Sequence, residues 1–402
     1  MRASRDPEPL IQGFLAEGTD KLPVRVYDEV RAGIERTRQR PVIGRWPLPA
    51  AGPAWFAIAA AVVVGIAVGG SLLPATAQAG GEVRIGSSWL HPDTVAFVAT
   101  LPSETPADLY WRAATYDRFD LTSWSQSNAT SRRVEAGQPL LTGHGDLPVG
   151  ETDLSVTIMP SHGGMDALLA PGIPILVDRA ADIVTIGGSG WIAQGTLAGD
   201  GPYRVTASVL DPGNGQITGR ELEGASTDYP EDVRSRYTGV PAGALGPQAT
   251  ALLHEILANA GTRNPYRLAV AIEVYLRDPA HFTYATDLRN VACNEASAVE
   301  CFVQTREGYC LHYASTMAIL LRAANPDDPI PTRLVQGFLP GTRSGTTETV
   351  QDRNAHVWVE VYFPGYGWIP FDPTGGNVAV LPAIPEGSPV TPETEAPSSE
   401  QP

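Results

Sequence analysis

From residue 55 to residue 73 the chain reads WFAIAAAVVVGIAVGGSLL, without a single charged side chain. As a helix rising about 1.5 Å per residue, this run extends about 28 Å, the depth of a bilayer's hydrocarbon core. No other feature limits the fold as strongly, because the chain on either side of it must then fold in different compartments. The preceding flank carries Arg31, Arg36, Arg38, Arg40 and Arg45 against Glu35, whereas the following flank has Arg84 with Glu82 and Asp93. Cationic flanks stay on the cytoplasmic side, so residues 1–54 are expected inside and everything beyond about residue 74 outside. Ala75-Thr76-Ala77-Gln78-Ala79 also offers the small residues of a leader-cleavage site. Either reading exports the rest of the chain, and a leader of this length favours an uncleaved, single-pass anchor in the cell membrane.

The 402 residues leave room for two compact domains, and 41 Gly with 36 Pro favour β-rich, loop-rich architecture over helical bundles. A net charge of −16 argues against a nucleic-acid partner, whose phosphates would be repelled. Residues 1–54 hold one helical pattern, at Val26, Tyr27, Val30 and Ile34, with no chemistry attached. Residues 82–225 break into β-branched runs such as Leu154-Ser155-Val156-Thr157-Ile158 and Ile183-Val184-Thr185-Ile186, bounded by Pro, Gly and Asp. They predict an exported all-β domain of sandwich or barrel type. Its aromatic stretches, Leu109-Tyr110-Trp111-Arg112 and Tyr116-Asp117-Arg118-Phe119, read as core and cross-strand packing.

Helical patterning takes over across residues 228–380. One helix is expected from Pro247 to Gly261, a second opens at Pro265, where the missing N–H costs nothing, and a third starts at Cys310. On that third helix Ala314, Met317, Ala318 and Leu321 form the expected buried face. Strands follow over residues 332–338, 356–363 and 368–372. Residues 381–402 are rich in Pro, Glu, Thr and Ser, with neither Lys nor Arg, and cannot build a core.

Three short stretches in this half combine into a chemistry that none carries alone. Cys310 follows Glu307-Gly308-Tyr309 at a helix start, where unpaired amides and the positive dipole end favour a thiolate. His356 opens a strand in which Val357, Val359, Val361 and Phe363 form the core face, so the imidazole points to the other side. Phe363-Pro364-Gly365-Tyr366 returns the chain toward Asp372. A plain two-residue turn would set Asp372 opposite Val357, on the wrong side, so an alliance with His356 requires one extra residue, as a bulge, in the hairpin. Thiol, imidazole and carboxyl are the components of a cysteine nucleophile, its base and the group that orients the base. Taken singly, each residue reads more simply as a small buried hydrophobe, a surface histidine and a turn aspartate. Tyr284 is a candidate oxyanion donor but reads first as a packed strand tyrosine; His312 reads as a helix-surface residue or one supporting the site; Trp358 reads as a shield over the histidine. No phosphate loop, dinucleotide fingerprint or HExxH motif occurs.

With GYC, AHVWVEVYFPGYGW and PFDPT in place, the region from 310 to 376 resembles the bacterial transglutaminase-like superfamily, whose core is papain-like α+β. YWRAATYDRFD, at residues 110–120, is similar to its membrane-anchored branch, which carries an exported β-rich segment before that core. The resemblance implies Cys310 as nucleophile, His356 as general base and Asp372 as its orienting residue. It further implies a protein or peptide substrate, in the cell envelope, and a reaction without metal or organic cofactor. A catalytically inactive envelope-binding module is the alternative reading. The remaining cysteines, Cys293 and Cys301, are expected to pair in an oxidising exterior and leave Cys310 free, against the alternatives of three reduced thiols or a zinc site.

Overall fold

The computed structural model describes residues 81–106, 108–141, 151–161, 167–186, 192–210, 217–376, 381 and 384–385. The apolar run at 55–73, the segment before it and most of the tail at 381–402 lie outside the described residues. Among the described residues no helix is long and apolar enough to cross a membrane.

Eighteen strands and six helices are described. Before residue 217 the strands are β1 (Glu82–Arg84), β2 (Val95–Thr100), β3 (Trp111–Tyr116), β4 (Arg118–Phe119), β5 (Ser123–Ser125) and β6 (Ala129–Val134), then β7 (Glu151–Pro160), β8 (Ile173–Val177), β9 (Ala181–Ile186), β10 (Ile192–Leu197) and β11 (Tyr203–Leu210). The helices α1 (Gly219–Glu223), α2 (Glu231–Tyr237), α3 (Pro247–Ala260) and α4 (Pro265–Arg277) come next. β12 (Thr283–Tyr284), α5 (Ala298–Thr305) and β13 (Glu307–Gly308) lead into α6 (Cys310–Ala323). The chain closes with β14 (Thr332–Phe338), β15 (Thr342–Ser344), β16 (Thr347–Gln351), β17 (Ala355–Phe363) and β18 (Gly367–Phe371).

Local chemistry sets the helix ends. Pro247 and Pro265 occupy first-turn positions, Asn264 caps α4 by accepting from the Arg267 amide, and Gly261 ends α3 in the left-handed region at φ 60°. The α3 amides of Gln248 and Ala249 instead donate to the buried carboxylate of Glu300, 2.8 and 2.9 Å away. One long-range acid thereby does the work of a cap and ties α5 to α3.

The boundary expected near residue 225 does not separate the sheets. A seven-stranded sheet runs β18-β17-β14-β3-β10-β9-β6 and a six-stranded one runs β15-β16-β2-β7-β11-β8. Each therefore joins strands from both halves of the chain. β3 pairs antiparallel with β14, Leu334 opposite Tyr116, and β16 pairs antiparallel with β2. Phe97, Trp111, Ile158, Val205, Phe338 and Val350, drawn from both sheets, share one core. The β-rich region is thus a sandwich that shares its larger sheet with the helical half.

The helical core packs on that sheet where β17 and β18 form its edge. Residues 310–322 of α6 are all buried, not only the expected stripe. Val357, Val359, Val361 and Phe363 of β17 join Met317, Leu320 and Leu321 of α6 in the largest hydrophobic cluster. A helix buried on every side stays where its neighbours hold it, and this fixes the position of its first residue.

Candidate active site

Cys310 is the first residue of α6, and Tyr309, its N-cap, supplies no side-chain cap. The helix therefore begins with unpaired amides around the sulfur, an arrangement that favours negative charge. Gly308 makes the approach to that tip possible: a Cβ there would lie 2.6 Å from the Phe302 ring and 2.9 Å from the His312 Cβ.

His356 and Asp372 meet beside it. The hairpin pairs Phe363 with Gly367, Val361 with Ile369 and Val359 with Phe371, without a bulge in either strand. Its extra residue lies in the turn instead: Pro364-Gly365-Tyr366 spans the strands, with Gly365 and Gly367 at φ 86° and 79°. Continuing this register sets Asp372 across from Trp358, diagonal to His356 and on its side of the ribbon. His356 Nε2 lies 2.8 Å from Asp372 Oδ2. The Cys310 sulfur is near enough to the imidazole to help raise its pKa. All three side chains are buried: Cys310 at 0%, His356 at 1% and Asp372 at 0% exposure.

Electrostatics follow from that burial. Burial works against a charged imidazole, but the Asp372 carboxylate and the Cys310 sulfur outweigh it and raise the His356 pKa to about 10. Burial likewise pushes the Asp372 carboxyl up, yet its bonds and charge interaction with His356 hold it below the ordinary value. Both shifts favour an ion pair between the imidazole and the carboxylate.

A second ring of groups positions the aspartate. The Tyr110 hydroxyl donates to Asp372 Oδ2 at 2.7 Å, and the Thr374 amide donates to Oδ1 at 3.1 Å. From α4, one turn apart, Glu273 Oε1 accepts the Asp372 amide and Arg277 Nη1 donates to the Asp372 carbonyl, each at 2.8 Å. Burial raises the Glu273 pKa to about 7. The Tyr110 ring packs edge-on to His356 and Trp358, which closes this side of the histidine to water. Trp358 therefore sits where a shield is needed. Reading the aromatic stretch as ordinary packing missed this bond of Tyr110 to Asp372.

Tyr284 is more than a packed tyrosine. It pairs opposite Gly308, two residues before Cys310, and the nearby sulfur helps to raise its pKa, after burial. His312 is not on the helix surface: it is 7% exposed, packed edge-on against Tyr309, and burial lowers its pKa to about 3. Cys293 and Cys301 form a disulfide, and Cys310 is free.

Residues 251–373 match the transglutaminase-like superfamily, a span that takes in all three of these side chains. The chain is 28% identical over 301 residues, 70% of its length, to the protein-glutamine gamma-glutamyltransferase of Pseudomonas aeruginosa. It is 39% identical over 120 residues, 28% of its length, to the uncharacterized protein YebA of Bacillus subtilis. It spans 37% and 16% of the lengths of these two curated relatives. The crystal structure of the periplasmic domain of TgpA from Pseudomonas aeruginosa superposes with a TM-score of 0.52 at 25% identity, over 70% of this chain and 88% of that one. Residues 251–373 thus carry a core of the transglutaminase-like superfamily, and the likeness to the TgpA periplasmic domain reaches into the β-rich region preceding it. Together the likenesses support a transglutaminase-like enzyme.

Proposed function

We propose that this chain is a membrane-anchored, extracytoplasmic cysteine acyltransferase acting on the glutamine carboxamide of a protein or peptide. The carrying observation is the 2.8 Å contact of His356 Nε2 with Asp372 Oδ2, beside a buried Cys310 at a helix tip. A thiolate there attacks the carboxamide carbon, and the carbonyl oxygen becomes an oxyanion. The donors proposed for that oxygen are the Cys310 amide at the helix tip and the Tyr284 hydroxyl beside it. As the C–N bond breaks, His356 gives its proton to the departing ammonia and an acyl thioester remains on Cys310. A primary amine then attacks the thioester, passes a proton to His356, and the C–S bond breaks to restore the thiolate. The net reaction exchanges ammonia for an amine on the glutamine side chain. Asp372 keeps the ring oriented and offsets its charge throughout.

Amine as the acceptor is favoured by the likeness to the Pseudomonas gamma-glutamyltransferase. Membrane attachment rests on the apolar run at 55–73 and its cationic inner flank. The test is incorporation of a fluorescent primary amine into a glutamine peptide by the full chain in detergent. Wild type is expected to turn over, whereas Cys310→Ala and His356→Ala fall by at least about a thousandfold. Equal incorporation by Cys310→Ala would contradict Cys310 as the nucleophile, and no incorporation by wild type would leave an envelope-binding module.

A further inference from the structure

A sulfur with no exposed surface cannot reach a glutamine side chain, so part of the covering structure must move. Residues 85–92 connect β1 to β2 and run beside the catalytic tip as an extended strap. The Trp89 amide donates to the Thr286 carbonyl and the Leu288 amide to the Ser87 carbonyl, each at 2.8 Å, so that Ser88 bridges Asp287 antiparallel. The neighbouring strand β12 in turn pairs parallel with β13, Tyr284 opposite Gly308. The strap is therefore bridged to the segment that follows β12, and β12 lies beside the strand leading to Cys310.

Its contacts are with the residues that precede Cys310 and His356 in the chain. The Trp89 ring stacks on Tyr309, the residue before Cys310, with centroids 5.2 Å apart. Trp89 Nε1 donates to the carbonyl of Ala355, the residue before His356, at 3.2 Å. The Tyr309 hydroxyl accepts from the Gly86 amide at 2.8 Å and donates to the Gly86 carbonyl at 3.0 Å. Yet the strap is loosely seated. A cavity of about 250 Å³ lies along it, lined by Ile85, Gly86 and Ser87 and by Leu288, Phe302 and His312. Its outer side is bare, with Leu90 58% exposed. Both ends are tied down, β1 to β5 and β2 to β7, so the span between them can lift while its anchors stay.

We propose that residues 86–89 occupy the main-chain edge on which an extended polypeptide substrate adds as a strand, and that the strap must lift to admit it. This rests on the assignment of Cys310 as the nucleophile. A strand laid along Thr286–Leu288 bonds through its backbone, so the edge recognises extended chains, not free glutamine, while its side chains remain variable.

Ser88 and Asp287 are both exposed and sit opposite each other without mutual main-chain bonds, the closer type of antiparallel pair and one that a disulfide spans. The test is Ser88→Cys/Asp287→Cys in the full chain, with iodoacetamide alkylation of Cys310 followed by peptide mapping. The oxidised variant is expected to alkylate at least tenfold more slowly than wild type and to recover on reduction, with reduced wild type as control. Equally fast alkylation of the locked and reduced forms would overturn the strap as the cover. Cys310 that alkylates slowly in every form would overturn the nucleophile assignment, and this inference with it. In the unlocked protein, a glutamine nonapeptide N-methylated at alternate amides is expected to lose at least tenfold in turnover against its unmethylated twin. Equal turnover would overturn strand addition.

Discussion

His356 carries a charge in a place without water, and its partners determine what that charge is worth. Its raised pKa, from 6.5 to about 10, means that its contribution to stability is complete below pH 6.5 and is lost as pH climbs through about 10. Asp372, held below its ordinary pKa, contributes in the opposite sense: its share is present at neutral pH and is lost on acidification. Asp372→Asn is therefore expected to cost about 3 kcal/mol near pH 6 and progressively less from pH 6.5 to 10, read by urea denaturation at stepped pH. A pH-independent loss would remove His356 as the coupled partner. The same variant is expected to lower kcat by about 10²–10⁴-fold, because the imidazole loses its orientation and the compensation of its charge. Tyr110→Phe deletes one donor to the same carboxylate oxygen and should cost about 1.5–3 kcal/mol, with activity falling less than in Asp372→Asn. A full loss of activity in Tyr110→Phe would make the tyrosine part of the chemistry and not a support for Asp372.

The elements bring these residues together through two close fits, the helix tip and the hairpin turn. At the tip, Gly308→Ala would drive a methyl into Phe302 and His312, and is expected to destabilise by about 1–3 kcal/mol and to lower kcat through Cys310. Thermal melts and amine incorporation measured together check this; an unchanged kcat would mean that the tip tolerates movement. At the turn, one added residue decides which face Asp372 occupies. The requirement for that residue was legible from the alternation in β17, because a period of two admits only two answers. Its location in the turn was not, since a bulge in either strand would meet the same parity. Cys310 at a helix start and Pro265 at another were legible because dipole, caps and proline are local. Tyr110, Glu273 and Arg277 were not, because their contact with Asp372 crosses 262, 99 and 95 residues of chain, and no periodicity records a contact of that range.

Over the whole molecule, the shared sheets mean that the β-rich half is not an appendage. β14 lies between β17 and β3, so cutting the chain near residue 225 would strip one edge from the strand next to the one that carries His356. A fragment of residues 228–380 is expected to be insoluble or to lack protected amides in β14 and β17, tested by expression and hydrogen exchange. A soluble fragment with full protection would restore the two-domain division that composition and patterning suggested. The shared sheets are not legible in the sequence, because strand pairing between distant segments leaves no mark in the pattern of either. The Cys293–Cys301 bond closes a short loop in the segment feeding α6, and its removal is expected to lower stability by about 2–3 kcal/mol.

The decisive experiment is intact-mass analysis of the full chain mixed with a glutamine peptide in the absence of any amine. A single adduct is expected on Cys310, equal to the peptide less one ammonia, absent in Cys310→Ala and His356→Ala, and discharged when a primary amine is added. Acyl transfer that proceeds with no adduct on Cys310, or an adduct that forms as readily in His356→Ala, would contradict it.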